Sequence, residues 1–205
     1  MDEKFTGGKQ LPVMETFVSV QGEGYHTGTP SFFIRIGGCD VGCHWCDVKE
    51  SWNPELHPLT DVDEILNNIP SHIKTVILTG GEPLNYDLSY LTRKLHEKNL
   101  RVHLETSGTG KLTGSFDWVC LSPKKYLLPK SEIYDAADEL KIIVFNKKDF
   151  EFAEEQARKV KPHSKLYLQP EWSVREKTVP LIVEYIIRHP RWKLSLQTHK
   201  YIGLP

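Results

Sequence analysis

Short apolar runs rich in β-branched and aromatic residues alternate along this chain with stretches whose apolar positions recur every three or four residues. That alternation predicts strands and helices in turn. Residues 1–12 are polar and glycine-rich, and 13–20 (VMETFVSV) and 31–36 (SFFIRI) then read as strands joined by the loop QGEGYHTGTP. The stretch NPELHP predicts a loop, after which Thr60 is placed to cap a short helix over DVDEILNNI that Pro70 closes. Residues 75–79 (TVILT) have the unbroken apolar character of a strand buried on both faces. Leu88, Leu91 and Leu95 fall at helical spacing within 86–98, and 101–105 (RVHLE) follows as a strand. The same reading gives strands over 116–121, 140–145, 165–168 and 192–196, and helices over 131–138 (capped by Ser131), 149–160 and 179–188. With no repeat or linker to divide it, the chain is expected to form one α/β domain over 1–205, built on a parallel sheet. Its strands run into GGEP, TSG, SPK and QP turns. Such α/β proteins place their sites at the carboxyl ends of strands, so these polar residues are expected to converge.

A chain of 205 residues can bury about 70% of its unfolded surface, so disulfides are not needed. The net charge of −1, from 26 basic and 27 acidic side chains, excludes a broad electrostatic attraction to nucleic acid or membrane. No apolar run approaches a membrane span, and the N-terminus MDEKFTGGKQ lacks an apolar signal core. The protein is expected to be soluble and cytoplasmic. In that reducing compartment, clustered thiols point to metal or catalysis.

Three of the four cysteines, Cys39, Cys43 and Cys46, lie in the loop over 37–52 (GGCDVGCHWCDVKESW). A structural zinc site needs a fourth ligand, which His44, Asp47, His26 or Cys120 could supply, although only the Cys43 to Cys46 spacing fits the usual pair. Cys120 lies in an apolar strand and reads as buried and inert. An iron-sulfur cluster with three protein thiolates would keep one iron open. Arg35 interrupts an apolar strand and needs an anion, either a structural carboxylate or a ligand.

The cysteine spacing, with Trp45 before the third cysteine, resembles the radical S-adenosylmethionine (SAM) superfamily, and GGEP at 80–83 resembles that superfamily's motif for the SAM amino group. The resemblance implies a four-iron four-sulfur cluster on the three cysteines, SAM on the open iron, and a 5′-deoxyadenosyl radical. Glycines there let carbonyls approach an ammonium, and Glu82 adds a compensating charge. QGEGYHTG, FFIRIGGCDVGCHWCDVKESW, TGGEP, ETSG, LSPK, LQP and the terminal QTHKYIGLP together resemble the 7-carboxy-7-deazaguanine synthase family over 13–205. This resemblance implies ring contraction of 6-carboxy-5,6,7,8-tetrahydropterin to 7-carboxy-7-deazaguanine with loss of ammonia. SAM is regenerated, and the product enters the pathway to queuosine and other 7-deazapurines. It also implies an abbreviated, partial (β/α) barrel of about six core parallel strands with few helices, a homodimer, and a reductant such as flavodoxin.

By the same resemblance, Val20, Gln21, Gly22, Glu23, Arg35, Thr79, His199 and Pro205 contact the substrate, Pro205 through its own carboxylate in the tail 197–205. Trp45, Cys46, Asp47, Gly80, Gly81, Glu82, Thr106, Ser107, Ser122, Pro123, Lys124, Gln169, Pro170, Glu171 and Trp172 hold SAM. Glu105 is a further expected ribose or methionine contact. No side chain is expected to be catalytic beyond the cluster and the SAM radical.

The chain departs from the family at Val48, two places after Cys46, where relatives commonly carry a hydroxyl residue that helps bind Mg²⁺. Valine cannot ligate a hard cation, so Mg²⁺ dependence is expected to be weakened, with Asp47 as an alternative ligand. Two other readings stand beside the first. A glycyl-radical activase or another small radical SAM enzyme would share the cysteines and GGEP, but not both QGEG and the tail. A zinc-stabilised module binding RNA is opposed by the neutral charge and the lack of a basic cluster.

Overall fold

The computed structural model describes residues 7–205; the first six residues of the polar N-terminal stretch lie outside the described residues. β1 (Gln10–Val20) and β2 (Pro30–Ile36) pair antiparallel, joined by the QGEG loop. Then come β3 (Leu59–Asp61), α1 (Val62–Asn67), β4 (Thr75–Gly80), α2 (Ser89–Glu97), β5 (Arg101–Thr106) and β6 (Trp118–Leu121). α3 (Ser131–Ala136), β7 (Glu139–Val144), α4 (Asp149–Ala157), β8 (Lys165–Pro170), α5 (Arg175–Arg188), β9 (Trp192–Leu194) and α6 (Thr198–Tyr201) complete the chain. One nine-stranded sheet runs β3-β1-β2-β4-β5-β6-β7-β8-β9. All neighbours from β2 through β4 to β9 are parallel, which makes seven parallel strands where about six were expected.

The sheet curls without closing. β3 and β9 are its two edges, and closure falls to side-chain and loop contacts: Gly24 N donates to Ser195 Oγ (2.9 Å) and Thr198 N to Gly22 O (2.9 Å). Period-2 alternation sorts the strands. Ile34, Val76, Leu78, Val102, Leu104, Val119, Leu140, Ile142 and Val144 join the core with Ile65, Leu91, Leu95, Ile133, Ala153 and Ile182 of the helices. Each such leucine or isoleucine contributes about 1.5–3 kcal/mol by leaving water. The opposite positions, Arg35, Glu105, Lys141 and Ile143, face a cavity.

Several expectations shift. Thr60 is not a cap; it lies in β3, paired with Leu11, its hydroxyl donating to Pro58 O (3.3 Å), and Asp61 precedes the helix. A short strand thus stands where the cap and the first residue of the helix were expected. Ser131 is the first residue of α3 rather than its cap. α5 begins at Arg175 and carries Pro180 inside it, four residues earlier than expected. The other predicted helices are shorter than expected by two to four residues in all, as helix boundaries often shift. Among the described residues no helix is long and apolar enough to cross a membrane.

Candidate active site

A cavity of about 390 Å³ lies at the carboxyl ends of the parallel strands. Its wall takes residues from β1, β2, the cysteine loop and the ends of β4, β5, β7 and β8, and from the C-terminal tail. Cys39, Cys43 and Cys46 all line it. Their loop has little regular structure and is held by backbone bonds: Gly38 N to Ser51 O (2.6 Å), Cys39 N to Trp52 O (3.1 Å) and Cys46 N to Cys43 O (2.9 Å). The GGEP turn is laced to it through Gly81 N to Ile36 O (2.8 Å) and Glu82 N to Gly38 O (2.8 Å). Gly80 has φ +136°, and a Cβ there would lie 2.1 Å from Ile36 O. Only glycine lets the turn sit this close to the cysteine loop. Burial, with Glu82 and Cys43 nearby, raises the Cys39 thiol pKa against two backbone hydrogen bonds. Burial and a hydrogen bond to Cys43 push the Tyr126 phenol well above its usual range.

Of the residues expected to hold SAM or substrate, the cavity gathers all but Glu82 and Pro123. Glu82 is 1% exposed and turned inward, where it accepts from Leu84 N (3.1 Å), Thr106 Oγ1 (2.5 Å), Ser107 N (2.8 Å) and the Ser107 hydroxyl. It caps the one-turn helix Pro83–Asn85 and fixes the end of β5. A carboxylate given four donors braces the cavity wall from behind and does not itself line the cavity. Lys124 is held by Ser122 O (2.6 Å) and Ser122 Oγ (2.8 Å), and burial lowers its pKa. Glu171 lines the cavity yet spends its carboxylate on Ser173 N (3.1 Å), capping the turn that presents Trp172. The Trp172 ring carries Arg175 at 4.1 Å and Lys200 at 5.1 Å.

The tail is bonded, not frayed. Gln197 Nε2 donates to Glu23 Oε1 (2.9 Å), Lys200 Nζ to Asp47 Oδ2 (2.7 Å), and Ser19 Oγ to Pro205 O (3.5 Å). His199 packs on Gly22 so closely that a Cβ there would lie 2.0 Å from His199 Nδ1. Burial lowers the His199 pKa. Arg35 has the structural carboxylate partner, its Nε pairing with Glu15 Oε1 (2.7 Å), and the residue also lines the cavity.

The Radical SAM superfamily profile matches residues 33–112. A 7-carboxy-7-deazaguanine synthase from Flavobacterium psychrophilum is 58% identical over 97% of this chain and 94% of its own length. One from Synechocystis is 50% identical, over 94% of this chain and 93% of its own. The chain belongs to the 7-carboxy-7-deazaguanine synthase family. The crystal structure of QueE from Escherichia coli superposes with a TM-score of 0.83 at 31% identity, covering 97% of this chain and 99% of that one. These relatives favour the synthase over the activase and the zinc module.

The donor set fits the cluster that this family implies. Among the described residues no candidate for a fourth zinc ligand groups with the thiols to hold a single ion. His44 packs on Trp45 (4.2 Å), and Asp47 pairs with Lys200. His26 packs among Trp118 and His103, and Cys120 is 1% exposed within β6, its pKa driven far up by burial. Among the described residues no three His, Cys, Asp or Glu side chains are grouped to hold a single ion. Three soft thiols on a cavity wall, with no protein group in fourth place, suit a cluster whose last ligand is small and exogenous.

Sequence reasoning passed over Lys141, Gln197, Lys200, Trp52, Phe17 and Phe33, all of which line this synthase-family cavity. Lys141 had a signal: a charge at an alternating position of the apolar run LKIIVF. Lys200 and Gln197 had none beyond their place in the tail.

Proposed function

We propose that this chain converts 6-carboxy-5,6,7,8-tetrahydropterin to 7-carboxy-7-deazaguanine with loss of ammonia, using SAM catalytically. The observation that carries the reading is the convergence, in one cavity, of the three thiols and GGEP turn with Gln21, Glu23, Arg35 and the tail residues His199 and Pro205. When bound, the cluster and SAM supply the one-electron chemistry that begins the ring contraction. Cys39, Cys43 and Cys46 would hold the cluster. The Gly80–Gly81 backbone, Thr106, Ser107, Ser122, Lys124 and the Gln169 to Trp172 turn would hold SAM. Gln21 and Glu23 offer an amide and a carboxylate to the pterin ring, and the terminal guanidinium nitrogens of Arg35 suit its carboxylate. The tail, tied to Gly22, Glu23 and Asp47, covers the substrate and excludes water.

The same reading includes Mg²⁺ bound with the substrate, used weakly because Val48 offers no oxygen, and an electron-carrier protein such as flavodoxin as reductant. A homodimeric, cytoplasmic enzyme of one domain completes it. Anaerobic reconstitution with iron and sulfide, then incubation with reductant, SAM and the carboxytetrahydropterin, tests the proposal. The expected result is deazaguanine product well in excess of SAM consumed. A loaded enzyme that makes none, or that consumes SAM stoichiometrically, refutes it.

A further inference from the structure

Lys141 points from the middle of β7 into the cavity interior, with a side chain only 5% exposed. Its Nζ donates to Glu23 Oε2 (2.5 Å) and to Glu105 Oε2 (2.9 Å), carboxylates that lie 118 residues before it and 36 before it in the chain. The remaining oxygens are also bound. Glu105 Oε1 accepts from Gln21 Nε2 (3.0 Å), Glu23 Oε1 from Gln197 Nε2 (2.9 Å), and Gln21 Oε1 from Glu23 N (3.1 Å). Gln21, Glu105, Lys141 and Glu23 therefore close a ring of hydrogen bonds on the cavity wall, and Gln197 ties the tail to it.

We propose that Lys141 is a positioning residue whose ammonium fixes Glu23 and Glu105 as a pair of acceptor-only carboxylates turned toward the N–H donors of the substrate's aminopyrimidinone ring. This rests on the carboxytetrahydropterin reading. Two carboxylates touching one ammonium cannot both stay ionised in a partly dry cavity once that ammonium is removed; one takes a proton. A protonated carboxyl presents a donor where the ring presents donors, which costs affinity rather than merely losing it.

The other charges around Lys141 do not replace it. Cys120 of β6 and Glu139 at the start of β7 act on it, and Lys124 after β6, His26 of the loop between β1 and β2 and His199 of the tail also act on the ring. Burial opposes the Lys141 charge, but Cys120, Glu105, Glu23 and Glu139 together carry its pKa well above the ordinary value. Burial likewise opposes the Glu23 charge, and Lys141 with Gln197 and Gln169 brings that pKa down to about 2.

The test compares Lys141→Met and Lys141→Arg with the parent, each loaded with cluster, by KM for the carboxytetrahydropterin from pH 6 to 8.5 and by SAM affinity. In the methionine variant KM is expected to rise roughly tenfold or more at neutral pH, with SAM affinity unchanged, and to fall again as pH rises and the shared proton leaves. The parent's KM shows no such slope. Arginine, which can span two carboxylates, is expected to restore a flat profile and most of the affinity. A methionine variant with parental KM, or with a loss independent of pH, overturns the proposal. If methionine does not fold, an arginine variant that binds SAM yet shows a pH-dependent KM overturns it as well. Parent enzyme that yields no product would instead overturn the underlying reading, so the two failures are distinguishable.

Discussion

Replacing Glu139 by glutamine should stabilise the protein at high pH and leave it unchanged near pH 5. Glu139 is 2% exposed under the QGEG loop, with Oε2 accepting from Tyr25 N (3.1 Å) and Trp118 Nε1 (3.2 Å). Its Oε1 is buried without a partner. Burial pushes its pKa from 4.5 up to about 7, against the pull of Lys141 and with the help of Glu105. A carboxyl whose folded pKa is raised binds more protons folded than unfolded between the two values. Stability therefore falls as pH rises from 4.5 toward 7, and the full cost is present above it. A shift of this size corresponds to about 3 kcal/mol. Glutamine keeps the acceptor for Tyr25 and Trp118 but buries an unpaired amide nitrogen, which costs about 1 kcal/mol. The net gain of about 2 kcal/mol corresponds to roughly 4–8 °C for a chain of this size. Thermal unfolding of parent and Glu139→Gln at equal cluster loading, at pH 5 and pH 8.5, measures it. A variant no more stable at pH 8.5, or equally advantaged at both pH values, would refute the account.

Alanine at Cys39, Cys43 or Cys46 is expected to abolish iron retention and product formation, measured by iron content and turnover. Cys120→Ala, inside β6, should keep the iron at a stability cost of about 1 kcal/mol. Val48→Thr should strengthen the response to Mg²⁺ titrated after chelation; a tight, absolute Mg²⁺ requirement in the parent would contradict the role given to valine. Deleting Pro205, or extending the chain past it, should raise KM for the pterin about tenfold while SAM affinity holds, and an unchanged KM would remove the tail from the site.

What could be read before folding was local chemistry: three thiols in a glycine loop, GGEP closing an apolar strand, and the polar turns after β5, β6 and β8. What could not be read depends on partners distant in sequence. Leu59–Asp61 becomes a strand only because Gln10, Leu11 and Pro12 lie across from it, so Thr60 looked like a cap. Lys141 acquires meaning only when Glu23 and Glu105 are brought to either side of it. Glu82 was identified as important, but the four donors that turn it away from the cavity come partly from the end of β5, over twenty residues on.

The open sheet explains why the site is assembled from both ends of the chain. A closed barrel would bind its first and last strands by a ladder of backbone bonds, whereas here β3 and β9 remain edges. The joint is made instead by Ser195 on Gly24, Thr198 on Gly22, Gln197 on Glu23 and Lys200 on Asp47. Each is worth about 0.5–1.5 kcal/mol net, so the joint as a whole amounts to a few kcal/mol. That is far less than the core packing that holds β4 to β8. One short helix, α6, thereby joins the Gly22 backbone, the cavity wall at His199 and Asp47 beside the third cysteine.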